Sequence, residues 1–305
     1  MTWTHYRLVF RLESPLHIGW RKTGNLMQTR RYVPGKNLWA ALTERLIWLA
    51  GLGNAPQAYR CVGEYLKACF RFGYLWPTYE GRTDEWQPHF PWDEPQGPEY
   101  WDYLYLDGTA RTALAPERRT AAEGMLYEIE FISPYTREGH PVYLVGDLWV
   151  QTGMPSAIDL NSSTIPLPWE QALQRLQIGG ERGYGWGRIQ LAECRKNAPL
   201  TWPGWAWQGH EEAVVLHPLE QEGTRLPAHA LAADFTNAAG HTEQALRGIR
   251  GEVEPWLGWE YQGSFRLSIA RIMYEPGARI DRAPQSGEAT LHSWGYLYQT
   301  PPSSS

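Results

Sequence analysis

Two stretches of the chain carry residue types that could do chemistry together. The first, Ser14 to Thr43, contains no Asp or Glu although the whole chain has a formal charge of −5. It holds Arg21, Lys22, Arg30, Arg31 and Lys36, with His17, Gly19 and Trp20 at its head and Asn37 near its end. Cations interleaved with an aromatic suit single-stranded RNA, where phosphates supply affinity and unpaired bases stack. The bland alternative is a solvated loop that happens to be basic. The second stretch is IGGERGYGWGRIQL, from Ile178 to Leu191, with five glycines in nine residues. Gly179, Gly180, Gly183 and Gly185 free the backbone for positive φ and for close approach to a ligand. Successive amides in such loops form concave anion sites. Arg182 and Arg188 add charge, and Tyr184 and Trp186 offer rings. The alternative here is a tight helix-to-strand connection that needs glycine for geometry alone. No Gly-Lys-Ser/Thr follows, so it is not a P-loop. The loop follows a helical pattern and opens a strand, the reverse of a dinucleotide-binding turn.

The elements that must position these residues are legible in part. Tyr6, Leu8, Phe10 and Leu12 alternate with polar residues and predict a strand over 5–13. A loop then runs to Gly35. Asn37 is expected to cap a helix through Leu38, Leu42, Leu46 and Leu49, stopped by Gly51. A second helix fits 56–72. Residues 75–110, with five prolines and four tryptophans, read as an insertion ordered partly by its own aromatics. Strands are expected over 125–133 and 142–151, a short helix over 167–177 and a strand over 186–192. Leaving out the extra helix and the insertion, the order is β-α-β-β-α-β. This is an α+β, ferredoxin-like (RRM-like) arrangement with a four-stranded sheet and helices on one face. Beyond a connector at 198–210, strands at 213–219, 260–274 and 289–298 and a helix near 241–254 predict a second, partial ferredoxin-like unit. The expected domains are therefore 1–197 and 198–305.

Composition bounds the function. The chain has 305 residues, 43% of them hydrophobic, enough to bury a core. Its 17 Trp and 17 Tyr serve cores and interfaces, and they also stack on bases or sugars. The negative net charge argues against a free-standing, nonspecific nucleic-acid binder, so any RNA contact must be local. Cys61, Cys69 and Cys194 are odd in number and lack CxxC spacing, which argues against a disulfide framework or a zinc site. The histidines are scattered, and neither metal nor cofactor is expected. The N-terminus lacks an apolar h-region and no apolar run reaches membrane length, so a cytoplasmic location without membrane is expected. Asp84, Glu85, Asp93, Glu94 and Asp102, with the many Trp, raise a glycoside-hydrolysing or carbohydrate-binding alternative. Such an enzyme needs two carboxylates at a fixed separation, and a Pro-rich insertion is a poor scaffold for that.

Four motifs in order resemble the RAMP (repeat-associated mysterious protein) superfamily over about the first two-thirds of the chain. Ser14-Pro15-Leu16-His17-Ile18-Gly19 looks like its opening, and Tyr32-Val33-Pro34-Gly35-Lys36-Asn37-Leu38 is similar to its Pro-Gly helix entry. Arg111 to Tyr127 resembles a further family stretch, and Ile178 to Arg188 its glycine-rich loop. The resemblance implies a subunit of a type III CRISPR effector complex that holds guide RNA (crRNA). Backbone subunits of such complexes polymerise along the guide, and many cut target RNA with an Asp in the loop between the first two motifs. That acid is missing here, and Ala115 stands where another motif Asp would sit. The extra hundred residues fit the capping kind, with paired ferredoxin-like domains, closest to that of a type III-D-like complex. Such a subunit grips the 5′ handle of the crRNA beside an adjacent backbone RAMP subunit and the large polymerase/cyclase-like subunit, with target RNA nearby. The resemblance also leaves open a metal-independent endoribonuclease that processes the guide precursor. His17, Tyr32 and Lys36 would then supply the base and the cation.

Overall fold

The computed structural model of the chain describes residues 2–299 apart from 54, 84, 113, 116–119, 122–125, 161–162, 212, 221–222, 237–239, 241, 262–264 and 282–287. The first strand, β1 (Trp3–Leu12), forms as its alternation predicts. Its even positions Leu8, Phe10 and Leu12 are fully buried under α1 (Gly35–Leu49) and α2 (Pro56–Cys69). Each such side chain contributes about 1.5–3 kcal/mol by leaving water. The strands beside β1 are β8 (Val142–Gln151) on one side and β10 (Arg188–Lys196) on the other, both antiparallel. Two short strands, β4 (Phe70–Phe72) and β5 (Trp76–Tyr79), both pair with the outer edge of β8. A short helix, α4 (Trp169–Leu173), leads into the strand β9 (Arg175–Gln177), which pairs antiparallel with β10 at the edge of the same sheet. Counting β4 and β5 as one broken strand and leaving aside the short edge strand β9, the sheet runs fourth-first-third-second in chain order. With α1, α2 and α4 on one face, this is the ferredoxin-like α+β arrangement.

One expected strand belongs elsewhere. Residues 127–132 do form a strand, β7 (Tyr127–Ile132), but not in the main sheet. It joins β2 (Gly19–Thr23), β3 (Leu26–Thr29) and β6 (Leu106–Arg111) in a separate four-stranded sheet, lying parallel to β3 and antiparallel to β6. Alternation specifies a strand but not its partner. The true second strand hid in the end of the second predicted helix and in the Pro-rich stretch. Pro77 sits in β5, on the open edge of the sheet where a missing N–H costs no ladder bond. The stretch after Phe90 also folds, with helix α3 (Pro98–Tyr105) held by Trp101, whose Nε1–H donates to the His89 carbonyl at 2.7 Å. The segment expected to be one loop up to Gly35 contains the β2–β3 hairpin.

Pro34 is the N-cap of helix α1, and Asn37 is not. Asn37 lies inside the first turn, and its Oδ1 is buried without a partner among the described residues. Gly35 is required by close approach: a Cβ there would sit 2.2 Å from the Phe72 carbonyl and 2.6 Å from that of Trp294.

The remainder is strand-rich. The strands β11 (Trp205–Gly209), β12 (Val214–Pro218), β13 (Ala230–Leu231), β14 (Val253–Tyr261), β15 (Phe265–Tyr274), β16 (Ala289–Leu291) and β17 (Leu297–Tyr298) form one sheet. Its order is β11-β12-β16-β17-β13-β15-β14. The helix expected near 241–254 does not form among the described residues, and β14 begins inside that span. This half covers the face of the main sheet opposite the helices. Trp3, Tyr74, Trp76 and Trp149 share one core cluster with Trp202, Trp205, Leu216, Leu226 and Leu246. The tryptophan richness is therefore largely structural: Trp76, Trp101, Trp149, Trp202 and Trp256 are almost wholly buried. A buried polar tie crosses the same junction. His5 Nε2 lies 2.7 Å from Asp147 Oδ1, and the Thr201 hydroxyl and N–H donate to the same carboxylate. Among the described residues no helix is long and apolar enough to cross a membrane.

Candidate nucleic-acid interface

The two stretches singled out by chemistry meet in space. Gly180 N–H donates to the His17 carbonyl at 2.8 Å, Gly187 N–H to that of Pro15 at 2.8 Å, and Arg188 N–H to Ser14 Oγ at 2.9 Å. Gly179, at φ 85°, passes so near that a Cβ would stand 2.4 Å from the His17 carbonyl. The His17 ring is buried against this loop. Its Nδ1–H donates to the Glu130 carbonyl at 2.7 Å. Glu130 in turn accepts from Thr29 N–H and so ties the β2–β3 hairpin to β7.

The loop's amides are mostly spent. Those of Gly180, Tyr184, Gly185, Trp186, Gly187 and Arg188 all donate within the protein. Only the tip, Arg182 to Tyr184, projects as an exposed turn. The expected anion cradle is accordingly reduced to that tip.

The cations of the acid-free stretch are mostly engaged as well, by acids from distant sequence. Arg31 makes a two-pronged pair with Asp102, at 2.6 Å from Nε to Oδ1. Arg21 pairs with Glu275 at 3.0 Å and stacks on Trp20. Arg30 donates to Glu254 at 2.5 Å and to the Tyr32 hydroxyl at 2.9 Å. Trp20 Nε1–H donates to the other Glu254 oxygen at 3.1 Å. Lys36 reaches the Leu257 carbonyl at 2.8 Å and lies over the Trp256 ring. Arg30, Arg31 and Lys36 therefore join the chain to itself instead of offering free charge to a ligand. A run without acids in sequence is not a basic patch in space.

Glu254 is the centre of a buried network. It also accepts from His229 Nε2–H at 2.5 Å, while His229 Nδ1 accepts from the Tyr74 hydroxyl at 2.6 Å. Burial alone would raise the Glu254 carboxyl, but the bonds from His229 and Arg30 hold it at about 2. Burial pushes the His229 imidazole down to about 4, helped by the Arg30 charge. Burial, and then Arg30, push the Lys36 ammonium down to about 8.

What remains exposed is a smaller surface. Lys22 and Arg188 are exposed and lack a carboxylate partner among the described residues. Arg182 is exposed but pairs with Glu44. Tyr184 is 73% exposed, whereas Trp186 is buried against Phe131 and is a core ring. Gly183 has an ordinary φ and open space around its Cα, and Gly19 opens the β2 strand. Arg111 was not singled out from sequence. It lies between the Tyr184 and Trp186 rings, 4.6 and 4.7 Å from their centroids, and pairs with Glu181 at 2.7 Å. Nothing in its sequence neighbourhood signals this placement, since Tyr184 lies more than seventy residues on. The acids of the carbohydrate alternative are dispersed: Asp102 holds Arg31, Glu94 holds His89, Glu85 faces Arg7, and Asp84 lies outside the described residues. Among the described residues no cluster of three or more His, Cys, Asp or Glu is placed to hold a metal ion.

Fold and site together define an α+β, ferredoxin-like protein whose glycine-rich loop is seated on an N-terminal hairpin. No family model and no curated protein matches the chain. Among solved structures, the chain is similar to a chain in the cryo-EM structure of the Type III-B Cmr-beta bound to cognate target RNA and AMPPnP. Identity there is 10% over 90% of this chain and 85% of that chain, with a TM-score of 0.41. A chain in the Type III-B Cmr-beta bound to cognate target RNA gives 11% identity over 92% and 86%, with a TM-score of 0.42. A chain in the apo state of Type III-B Cmr-beta gives 8% identity over 64% and 98%, with a TM-score of 0.36.

Proposed function

We propose that this chain is a non-catalytic, RNA-binding subunit of a type III CRISPR effector, holding the 5′ handle of the crRNA and capping the subunit filament. The sequence resemblance supplies the class. The observation that supports RNA binding most is the junction of the two motif stretches into one surface, through Gly180 to His17 and Gly187 to Pro15. That surface presents Lys22, Arg188, Arg182 and the exposed Tyr184 ring. The adjacent backbone RAMP subunit and the large polymerase/cyclase-like subunit are the partners this reading implies.

The processing endoribonuclease is the second reading. It needs His17, Tyr32 and Lys36 to act on one phosphate. Here His17 faces the glycine-rich loop, while Tyr32 and Lys36 are bound to Arg30, Leu257 and Trp256. Their separate partners support the binding role. The test is to purify the chain with its native partners and sequence the RNA that accompanies it, then incubate it with labelled repeat RNA with and without divalent metal. Repeat-derived guides and intact repeat RNA are expected. Unrelated RNA, or none, overturns the class. A metal-independent cut that disappears in His17→Ala overturns the non-catalytic role.

A second outcome concerns charge. Lys22→Ala and Arg188→Ala should each weaken RNA binding and flatten its dependence on log salt by about 0.7 per cation removed, the increment for single strands. An unchanged slope removes that cation from the surface.

A further inference from the structure

Two aromatic side chains stand out of the surface beyond any packing need. Tyr184 is 73% exposed and Trp48, on α1, is 67% exposed. Each is backed by a guanidinium. Behind Tyr184 a column runs inward: Arg111 lies under its ring, Trp186 under Arg111, and the Phe131 ring meets Trp186 at 4.9 Å. The ion pair to Glu181 fixes Arg111 in that column. At the second post, Arg45 lies 4.5 Å from the centroid of the Trp48 ring. Arg45 has no carboxylate partner among the described residues, and its Nε is buried without a partner there.

The loop tip and the helix that carry the two posts are joined by an ion pair. Arg182, two residues before Tyr184, pairs with Glu44, and Glu44 lies one helical turn from Trp48 on the same side of α1. The loop tip is thus anchored to the helix face that carries Trp48.

Ordering a large ring in water, with a cation along one face, stabilises no core. It does prepare a flat surface with an electropositive backing. That is what an unpaired nucleobase with its flanking phosphate needs, and the ring is sequence-tolerant because every base has a π-face. A protein partner would bury such a ring against apolar surroundings, but Arg45 lies along the Trp48 ring and the charged Glu44 stands one helical turn away on α1.

We infer that Tyr184 and Trp48 are two stacking posts for one single-stranded RNA segment, which passes from the glycine-rich loop onto the exposed face of α1. This rests on the RNA-binding reading above and extends it to the exposed face of a helix whose motif cation, Lys36, is engaged by the Leu257 carbonyl and the Trp256 ring. Arg111 and Arg45 act as positioning residues that hold the rings.

The test uses repeat-derived single-stranded RNA, and the same RNA annealed to its complement, with the chain in its native complex. Tyr184→Ala and Trp48→Ala should each lower affinity for the single strand about tenfold, the usual loss for one stacked base. The salt slope should stay as in the wild type, because stacking releases no counterions. Tyr184→Phe and Trp48→Phe keep the ring and should bind like the wild type. The annealed RNA should gain nothing from either ring. Unfolding midpoints of all four variants should match the wild type, since both side chains are exposed. A wild-type complex that binds RNA while Trp48→Ala has no effect overturns the second post and leaves the RNA reading standing. Trp48→Ala that sheds a protein subunit with RNA affinity intact overturns it in favour of protein docking. A wild-type complex that binds no single-stranded RNA overturns both.

Discussion

Replacing Glu254 with alanine is expected to cost about 3–5 kcal/mol of unfolding free energy, the usual loss when one partner of a buried ion pair is removed. The carboxylate is 7% exposed and receives hydrogen bonds from Arg30, His229 and Trp20. Without it the Arg30 guanidinium stays buried with, among the described residues, only the Tyr32 hydroxyl to accept from it. The same substitution loosens the N-terminal hairpin from the second half, because Trp20 lies in β2, Arg30 directly follows β3, and Glu254 sits on β14. Chemical denaturation with an unchanged m-value reads the loss directly. Arg30→Ala should cost a similar amount, and the double variant much less than the sum, since the two residues share one interaction. A Glu254→Ala loss below about 1 kcal/mol would show that the pair is solvated and contributes only as much as surface pairs do.

The same network sets an acid limit. His229 folds neutral, with a pKa near 4 against 6.5 for the free side chain. The unfolded chain therefore binds a proton that the folded chain refuses, and stability falls as pH drops from about 6.5 towards 4. Glu254 folds ionised, with a pKa near 2 against 4.5. Its contribution is present above pH 4.5 and is lost as pH falls through the folded value. Both act in one direction. The melting temperature should fall steadily below pH 6.5, and His229→Gln should flatten the upper part of that fall. A wild-type melting temperature unchanged between pH 7 and pH 4.5 would contradict a neutral, buried His229.

What was legible in the sequence was local. The alternation of Tyr6 to Leu12, the leucines of α1 and the glycine spacing at 179–187 are each written in a few residues, and each formed. The ferredoxin-like class follows from the element order, although the strand at 127–132 that the periodicity places in the main sheet belongs to another sheet. A broken strand of three and four residues with a proline in it gives almost no periodic signal, and β7 gives a strong one. The candidate site was legible as two stretches, and their meeting was not, because it depends on backbone bonds from 180 to 17 and from 187 to 15. The partners of the cations were illegible for the same reason. Asp102, Glu254 and Glu275 arrive from other elements and neutralise Arg31, Arg30 and Arg21, which no window of sequence reveals. Trp186 and Tyr184 are two residues apart, yet one is core and the other is surface.

Within the glycine-rich loop, Gly187→Ala should be among the most damaging single changes, and Gly183→Ala among the least. Gly187 has φ 74°, where an L side chain costs about 1–2 kcal/mol. Its Cβ would also lie 1.8 Å from the Ile178 carbonyl, and a backbone atom cannot swing away as a side chain would. Relief requires opening the bonds from Ile178 N–H to the Gly187 carbonyl and from Gly187 N–H to Pro15, which close the loop onto the hairpin. Adding about 1–3 kcal/mol for forced overpacking gives a loss of about 2–5 kcal/mol. Gly183, by contrast, has no atom within 4 Å of a new Cβ and no positive φ, so alanine or valine there should change stability by less than about 0.5 kcal/mol. The pair separates the two reasons for glycine in this loop. Lost RNA binding in Gly187→Ala follows from a broken loop and says nothing about contact with RNA. Gly183→Val leaves the fold intact and places a branched side chain at the exposed tip beside Tyr184. A folded Gly183→Val protein that binds repeat RNA like the wild type would show that the tip backbone does not approach the strand. A folded one with affinity reduced at least severalfold would place RNA against it.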